Sequence, residues 1–474
     1  MMEQEPKFNY IKLGIDISNL VRSTLGPRGM NKMLVKGEEV ILTNDGATIM
    51  RNTKIDNPIG GLFKKLAEGQ EKAIGDGTTT ALILTGQLLE KAMELLNKNV
   101  HQTTVIKGYN LARDKCIEHL IQSQYAGKKE DLILTTFGSK INKKLAIHLA
   151  SLLKEADRKK LKIFKKKNSD PLGSQIIKGY AFEGYTINDR MPLEAEGNVA
   201  VLELRSNLEF SKIQASNASD LEDIENKQKE FMKNIADKLE KENVKICFYS
   251  DTNPLFENYL TKKGIMSVVA YARDHIDNIC LVTGATAIQD PDEEFKESVG
   301  LGRCIYDKET TTIILKNKAS KIQTLLLGGQ TDNTLDETAR AVDDVMGILR
   351  HDTMVVTGAG SIETELSLML EEFAKRVGGK EQIAIRKFAE AMESIPLILA
   401  ENCGLDAIET LTLLKTEHNN GKKTMGVDEQ LIISSAEERG IIEPSVLKIN
   451  AINSANDVAC IILKLDQILQ GGEK

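Results

Sequence analysis

The segment Gly75-Asp76-Gly77-Thr78-Thr79-Thr80 gathers the groups that hold a phosphate. Its glycines let backbone N–H groups approach an anion, and its three hydroxyls add donors. The repeat Leu84, Leu88, Ala92, Leu95 predicts a helix that begins at this loop, and a helix start favours negative charge. Asp76 would repel a bare phosphate, but it makes sense where Mg²⁺ bridges the carboxylate and the phosphate oxygens. The segment therefore reads as a joint site for metal and nucleotide. Taken alone, it reads as readily as an acidic glycine turn capping a helix.

Two more segments join it. Thr24-Leu25-Gly26-Pro27-Arg28-Gly29 is a second glycine-rich turn, and Thr43-Asn44-Asp45-Gly46-Ala47-Thr48 carries another carboxylate. The β-prone runs 40–43 and 47–50 flank Asn44-Asp45-Gly46, which predicts a tight turn with Asp45 at its tip. None of these loops matches the GxxxxGK[ST] phosphate loop, so an ordinary P-loop NTPase is disfavoured.

The scaffold around them reads as follows. Residues 8–135 are mostly helical, and Asn57-Pro58 starts a helix that places Leu62, Leu66 and Ala73 along one face. From about 197 to 290, strand signals at 199–204, 245–249 and 265–269 alternate with helices, the longest marked by Leu221, Ile224, Phe231, Ile235 and Leu239. That alternation predicts an inserted α/β domain. Helices return with Leu335, Ala339, Val342, Val345 and Met346, then with Ile362, Leu366, Met369 and Phe373. Helices on both sides of an insert predict a discontinuous domain. The lysine-rich stretch 159–167 reads as a solvated face or loop.

With 474 residues, about three domains are expected. A net charge of −7 offers no basic field for nucleic acid or anionic lipid, and 4% aromatics without Trp offers no stacking platform. No signal peptide or run of about 18 apolar residues is readable, which predicts a soluble cytoplasmic protein with no membrane role. The six cysteines lack CxxC spacing and the six histidines form no HExxH pair, so buried free thiols are expected rather than disulfide or zinc frameworks.

In this order and spacing, the three glycine segments resemble the signature of the group II chaperonins, the ring-forming family that includes the eukaryotic cytosolic chaperonin. The resemblance covers nearly the whole chain. Gly358-Ala359-Gly360 with Glu363 and Glu365 is similar to the family's triple-glycine turn and following helix. Glu401-Asn402-Cys403-Gly404 and Gly440-Ile441-Ile442-Glu443-Pro444 are similar to its C-terminal nucleotide-pocket segments.

The resemblance implies a multidomain α+β chaperonin fold. A mostly helical, discontinuous equatorial ATP-binding domain would span 1–135 and 354–474, and a small intermediate hinge domain 136–178 and 329–353. An inserted α/β apical client-binding domain would span 179–328. The resemblance also implies an ATP hydrolase that uses ATP and Mg²⁺. Leu25, Gly26 and Pro27 would line the nucleotide, Asp76 would hold Mg²⁺, and Gly77, Thr78, Thr79 and Thr80 would cradle the phosphates. Gly360, Asn402 and Glu443 would face ribose and base. Asp45 and Asp344 match the family's two hydrolytic carboxylates, whereas Asp343 reads as a solvated helix acid. A carboxylate arriving from another domain would make hydrolysis conditional on closure.

The implied partners are other chaperonin subunits in a stacked, hetero-oligomeric double ring, together with unfolded client proteins. Ile276, Ile279 and Cys280 match the apical face that would touch clients, although the same residues also read as core. Two alternatives stand beside the chaperone ATPase. One is a nucleotide-binding structural subunit with little turnover; the other is a small-molecule kinase, disfavoured because no acceptor motif accompanies the loops. Within the family, 330–333, 340–344 and 386–396 resemble the theta type of subunit most, while the segments around Asp45 and Asp76 keep an archaeal type open. Three departures stand out: Ala359 for the middle glycine, Gly328 where the family carries arginine, and shortening near 150–172 and 207–220. The last implies a less secure built-in lid.

Overall fold

The computed structural model of the protein describes residues 6–37, 39–138, 140–157, 160–184, 190–203, 218–250, 254–270, 272–290, 294–351 and 354–467. Two compact units result, the first formed by Met1–Lys154 with Asp336–Lys474 and the second by Glu155–Leu335. The first unit opens with α1 (Pro6–Arg22), β1 (Lys32–Lys36), β2 (Glu39–Thr43), α2 (Gly46–Asn52), α3 (Pro58–Ile74), α4 (Thr78–Asn97), α5 (Gln102–Ser123), β3 (Tyr125–Ala126), α6 (Lys129–Phe137) and α7 (Lys143–Leu153). The second holds β4 (Leu161–Lys166), β5 (Gln175–Glu183), β6 (Glu194–Leu202), α8 (Ala218–Lys241), β7 (Val244–Tyr249), α9 (Pro254–Lys262), β8 (Met266–Val269), α10 (Arg273–Thr283), β9 (Ala287–Ile288), β10 (Gly300–Asp307), β11 (Thr312–Lys316) and β12 (Gln323–Gly328). The first unit resumes within α11 (Asp332–Ile348) and continues with β13 (Met354–Thr357), α12 (Ser361–Arg376), α13 (Glu381–Asn402), α14 (Ala407–Asn419), β14 (Met425–Asp428), β15 (Ile432–Ser435), β16 (Ile442–Pro444) and α15 (Ser445–Lys464).

In the first unit, α4 is apolar nearly all round, and α1, α3, α13 and α15 pack about it. A helix of that kind must be central. Its Leu82, Ile83, Leu84 and Leu88 are fully buried in one cluster with Phe63, Tyr109, Phe388 and Ala455. Tyr109 fills the cluster without leaving a polar orphan: its hydroxyl donates to the Leu88 carbonyl at 2.8 Å. The start of α3 follows the sequence expectation, with Asn57 Oδ1 accepting from the Ile59 N–H at 2.9 Å and Pro58 in the first turn.

The turn expected around Asp45 is not there. β2 pairs antiparallel with β1, and residues 47–50 are helical, inside α2. Asp45 is the helix cap, its carboxylate accepting from the Ala47 and Thr48 amides at 3.4 and 2.7 Å. Its capping preference outweighs the β-prone side chains that follow. The β1/β2 hairpin leaves Met33, Val35, Val40 and Leu42 exposed.

In the second unit, the strands run β4-β12-β5-β11-β10-β6-β7-β8, with β9 beside β6. Val199 and Val201 pack in one cluster with α10, while Ala200 and Leu202 pack in another with α8 and α9. Burial on both faces explains why these strands read as continuous apolar runs. The lysine-rich stretch contains β4, parallel to β12, rather than a loop; Lys162 and Lys165 are exposed, and Lys166 pairs with Asp307 at 2.9 Å. Ile276 and Ile279 lie in the core at 3% and 0% exposure, so they do not present a client face, and Cys280 is half-buried. The shortening near 207–220 falls largely outside the described residues. Of the six free cysteines, Cys116, Cys247, Cys304 and Cys460 are buried.

Candidate functional site

A cavity of about 380 Å³ opens in the first unit where the glycine segments meet. Leu25, Gly26, Pro27, Asp45, Asp76, Gly77, Thr78, Thr79, Thr80, Gly360 and Glu443 all line it. Gly77 begins α4 in the left-handed region at φ +80°, and a Cβ there would come within 2.8 Å of Leu447 Cδ2. Among the described residues no side chain caps α4. Its first-turn amides are therefore donors left over by the helix itself, at the end that favours an anion.

The carboxylates gather around one ammonium. Lys140 Nζ lies 2.7 Å from Asp344 Oδ2 and 3.1 Å from Asp76 Oδ1. Asp76 Oδ1 also accepts from the Gly77 amide at 2.8 Å, and the Thr78 hydroxyl donates to Asp45 Oδ1 at 3.3 Å. Burial by itself would lower the Lys140 pKa, but Asp344, Asp76 and Asp45 outweigh it and hold the ammonium above the usual lysine range. Burial pushes the Asp344 carboxyl up to about 7, with Lys140 pulling down and Asp76 and Asp45 adding to the rise. Three carboxylates against one ammonium leave the corner in need of further positive charge. Among the described residues no three acid, histidine or cysteine side chains could hold a metal ion unaided. Asp76, at the cavity beside the α4 amides, offers a carboxylate of the kind that Mg²⁺ takes together with phosphate oxygens and water.

A second charged cluster closes the other side. Lys448, 5% exposed, places Nζ 2.6 Å from Glu363 and 2.8 Å from Glu443. Glu443 thus stands at the cavity wall with one oxygen held by Lys448. Ala359 takes φ +56° and Gly360 φ +75°, so both residues of the turn before α12 hold the left-handed conformation. Asn402 does not line the cavity. Its side-chain amide donates to the carbonyls of Arg22 and Leu25 at 3.2 and 2.8 Å, so it ties the end of α13 to the Leu25-Gly26-Pro27 loop. The expectation that Asn402 faces the nucleotide is corrected to a supporting role.

Sequence reasoning missed Lys140 and Lys448. Lys140 follows Phe137-Gly138 in the connection between α6 and α7 and belongs to no phosphate motif. Charge balance was the available signal, since three converging carboxylates demand a cation.

The chain matches the TCP-1/cpn60 chaperonin family over residues 17–473. It is 31% identical to a thermosome subunit of Methanocaldococcus jannaschii, across 97% of this chain and 91% of that protein. A thermosome subunit of Pyrococcus abyssi is 33% identical across 96% of this chain and 89% of its own length. Thermosome subunit alpha of Thermoplasma acidophilum is 31% identical across 97% and 91%.

Proposed function

The chain belongs to the TCP-1/cpn60 chaperonin family, and we propose that it is an ATP-hydrolysing subunit of a group II chaperonin that encloses and folds non-native proteins. The observation that carries this reading is the meeting of Asp45, Asp76 and Asp344 around Lys140 beside the uncapped start of α4. The α4 amides and the hydroxyls of Thr78, Thr79 and Thr80 would hold the phosphates, and Asp76 would hold Mg²⁺. When bound, Mg²⁺ neutralises phosphate charge. Phosphoryl transfer to water needs positioning and charge stabilisation more than a covalent nucleophile. Asp45 and Asp344 would orient the attacking water, and a carboxyl up at about 7 is suited to accept its proton at neutral pH. Glu443 and Gly360 would face the ribose and base.

The three-domain division into equatorial, intermediate and apical parts is part of the same proposal, as is a cytoplasmic location. The exposed Met33, Val35, Val40 and Leu42 of the β1/β2 hairpin support a contact with a neighbouring subunit. Unfolded clients would meet the second unit through residues other than Ile276 and Ile279. Segments 330–333, 340–344 and 386–396 support a theta-type place in a ring of unlike subunits; the intact mass of the native assembly distinguishes this from a ring of one kind.

The test is ATP turnover by the native assembly, wild type against Asp344→Ala, with radiolabelled nucleotide cross-linked to this chain in the same samples. Nucleotide labelling with lost hydrolysis by this subunit supports the ATPase. Labelling with unchanged turnover supports the structural-subunit alternative instead.

A further inference from the structure

Two backbone segments that carry site carboxylates touch where neither has a side chain. Gly75 ends α3 at φ +93°, immediately before Asp76. Gly347 lies inside α11, three residues beyond Asp344 and so on the same helical face. A Cβ built on Gly75 would lie 2.9 Å from Gly347 Cα. One built on Gly347 would lie 2.8 Å from Gly75 Cα and 2.9 Å from the Ile74 carbonyl oxygen. These are backbone atoms that cannot swing aside. A second contact holds the same crossing one turn on, where His351 Nε2 sits 3.0 Å from the Ala73 carbonyl oxygen. Glycine is a poor choice inside a helix, so its presence in α11 calls for a reason. The close approach supplies one.

We propose that the Gly75/Gly347 crossing sets the distance between Asp344 and Asp76, which makes Gly347 a positioning residue for hydrolysis. The inference rests on the ATPase reading given above. An added methyl at 347 pushes α11 off the phosphate loop and draws the Asp344 carboxylate away from Asp76 and Lys140. It leaves the α4 amides, the threonine hydroxyls and Glu443 where they were. Chemistry is impaired while nucleotide binding is kept.

The experiment uses the native assembly carrying Gly347→Ala, with Gly69→Ala on α3 as a control because nothing lies within 4 Å of its Cβ position. A displacement approaching 1 Å in a reacting constellation costs up to roughly a hundredfold, so kcat should fall about ten- to a hundredfold with KM and nucleotide cross-linking unchanged. Combined with Asp344→Ala, Gly347→Ala should cost less than about twofold more, because its effect runs through that carboxylate. Gly69→Ala should match wild type. Should Gly347→Ala fail to assemble, His351→Ala adds no bulk and should lower kcat with KM unchanged. The proposal is overturned by an unchanged kcat in the assembled variant, or in His351→Ala when that variant must decide. An equal loss with and without Asp344 overturns it too. Asp344→Ala that leaves turnover intact refutes the ATPase reading itself, whereas Asp344→Ala that abolishes turnover beside a silent Gly347→Ala refutes this inference alone.

Discussion

Replacing Lys140 by Met keeps the stem of the side chain and removes the ammonium lying 2.7 Å from Asp344 and 3.1 Å from Asp76. At an effective dielectric of about 20, each contact represents roughly 5–6 kcal/mol of gross attraction, most of it offset by desolvation of the lysine. Breaking a buried pair by removing one partner costs about 3–5 kcal/mol. Here Asp344 and Asp76 keep side-chain exposures of 19% and 28%, so some solvent screening remains. Asp344, already up at about 7, also escapes part of the repulsion by taking a proton. The expected loss is therefore near the lower end, about 3 kcal/mol close to pH 8.

Its pH dependence follows from the sign of the shift. A carboxyl whose folded pKa is raised loses stability as pH climbs through that pKa. In wild type this loss levels off above about 7; without Lys140 to pull the carboxyl down, it continues to grow. The gap between variant and wild type should widen from about pH 6 to about pH 8. Mg²⁺ with ADP should narrow it, because a divalent cation at Asp76 supplies the missing charge. Thermal unfolding followed by circular dichroism measures this in a chain with no Trp. A gap of the same size at both pH values and indifferent to Mg²⁺ with ADP would refute the electrostatic account.

Three further outcomes are expected. Burial raises the Glu365 carboxyl, but hydrogen bonds from His418 and Lys423 outweigh it and bring it down to about 2 from the usual 4.5. That contribution is present above the usual value and lost as pH falls toward about 2, so Glu365→Gln should be roughly 3 kcal/mol less stable at neutral pH; urea midpoints should converge with wild type as the medium is acidified. Ala359→Gly relieves a left-handed alanine at φ +56° and should raise stability by about 1 kcal/mol, read as a higher calorimetric midpoint. Asn402→Ala frees the Arg22 and Leu25 carbonyls and should raise the KM for ATP about fivefold with kcat kept, as initial-rate kinetics would report.

The parts of the fold that were legible in sequence are those governed by local rules. Asn57-Pro58 announced α3 because the cap and the proline act within one turn. The loop at 75–80 announced α4 because glycines and hydroxyls specify their own geometry. Asp45 was found as a site residue but misplaced in structure, since Asn44-Asp45-Gly46 suits a turn as well as a helix cap, and the cap that forms at Asp45 brings Gly46 close to Thr79 of α4. The lysines of 159–167 hid a strand because Lys162 and Lys165 are exposed while Leu161, Ile163 and Phe164 are half-buried, and backbone pairing with β12 runs through charged and apolar residues alike. Lys140 and Lys448 were invisible for a different reason. A lysine acquires its role from carboxylates that reach it across the fold, and Lys140 and Asp344 stand 204 positions apart.

The two-part construction of the first unit bears on how it is made. Arg28 and Glu429 meet across 401 positions of chain, a stretch that takes a ribosome roughly 20–80 s to synthesise at about 5–20 residues per second. From the completion of α4 at Asn97 until α13 begins at Glu381, roughly 14–57 s later at that rate, α4, apolar on nearly every side, lacks α13 and α15, which pack against it in the finished protein. The second unit, whose sheet is built from its own residues alone, is synthesised whole in the meantime. Each newly made chain therefore carries α4 for tens of seconds without two of the helices that cover it, and transiently exposed apolar surface of that kind favours aggregation.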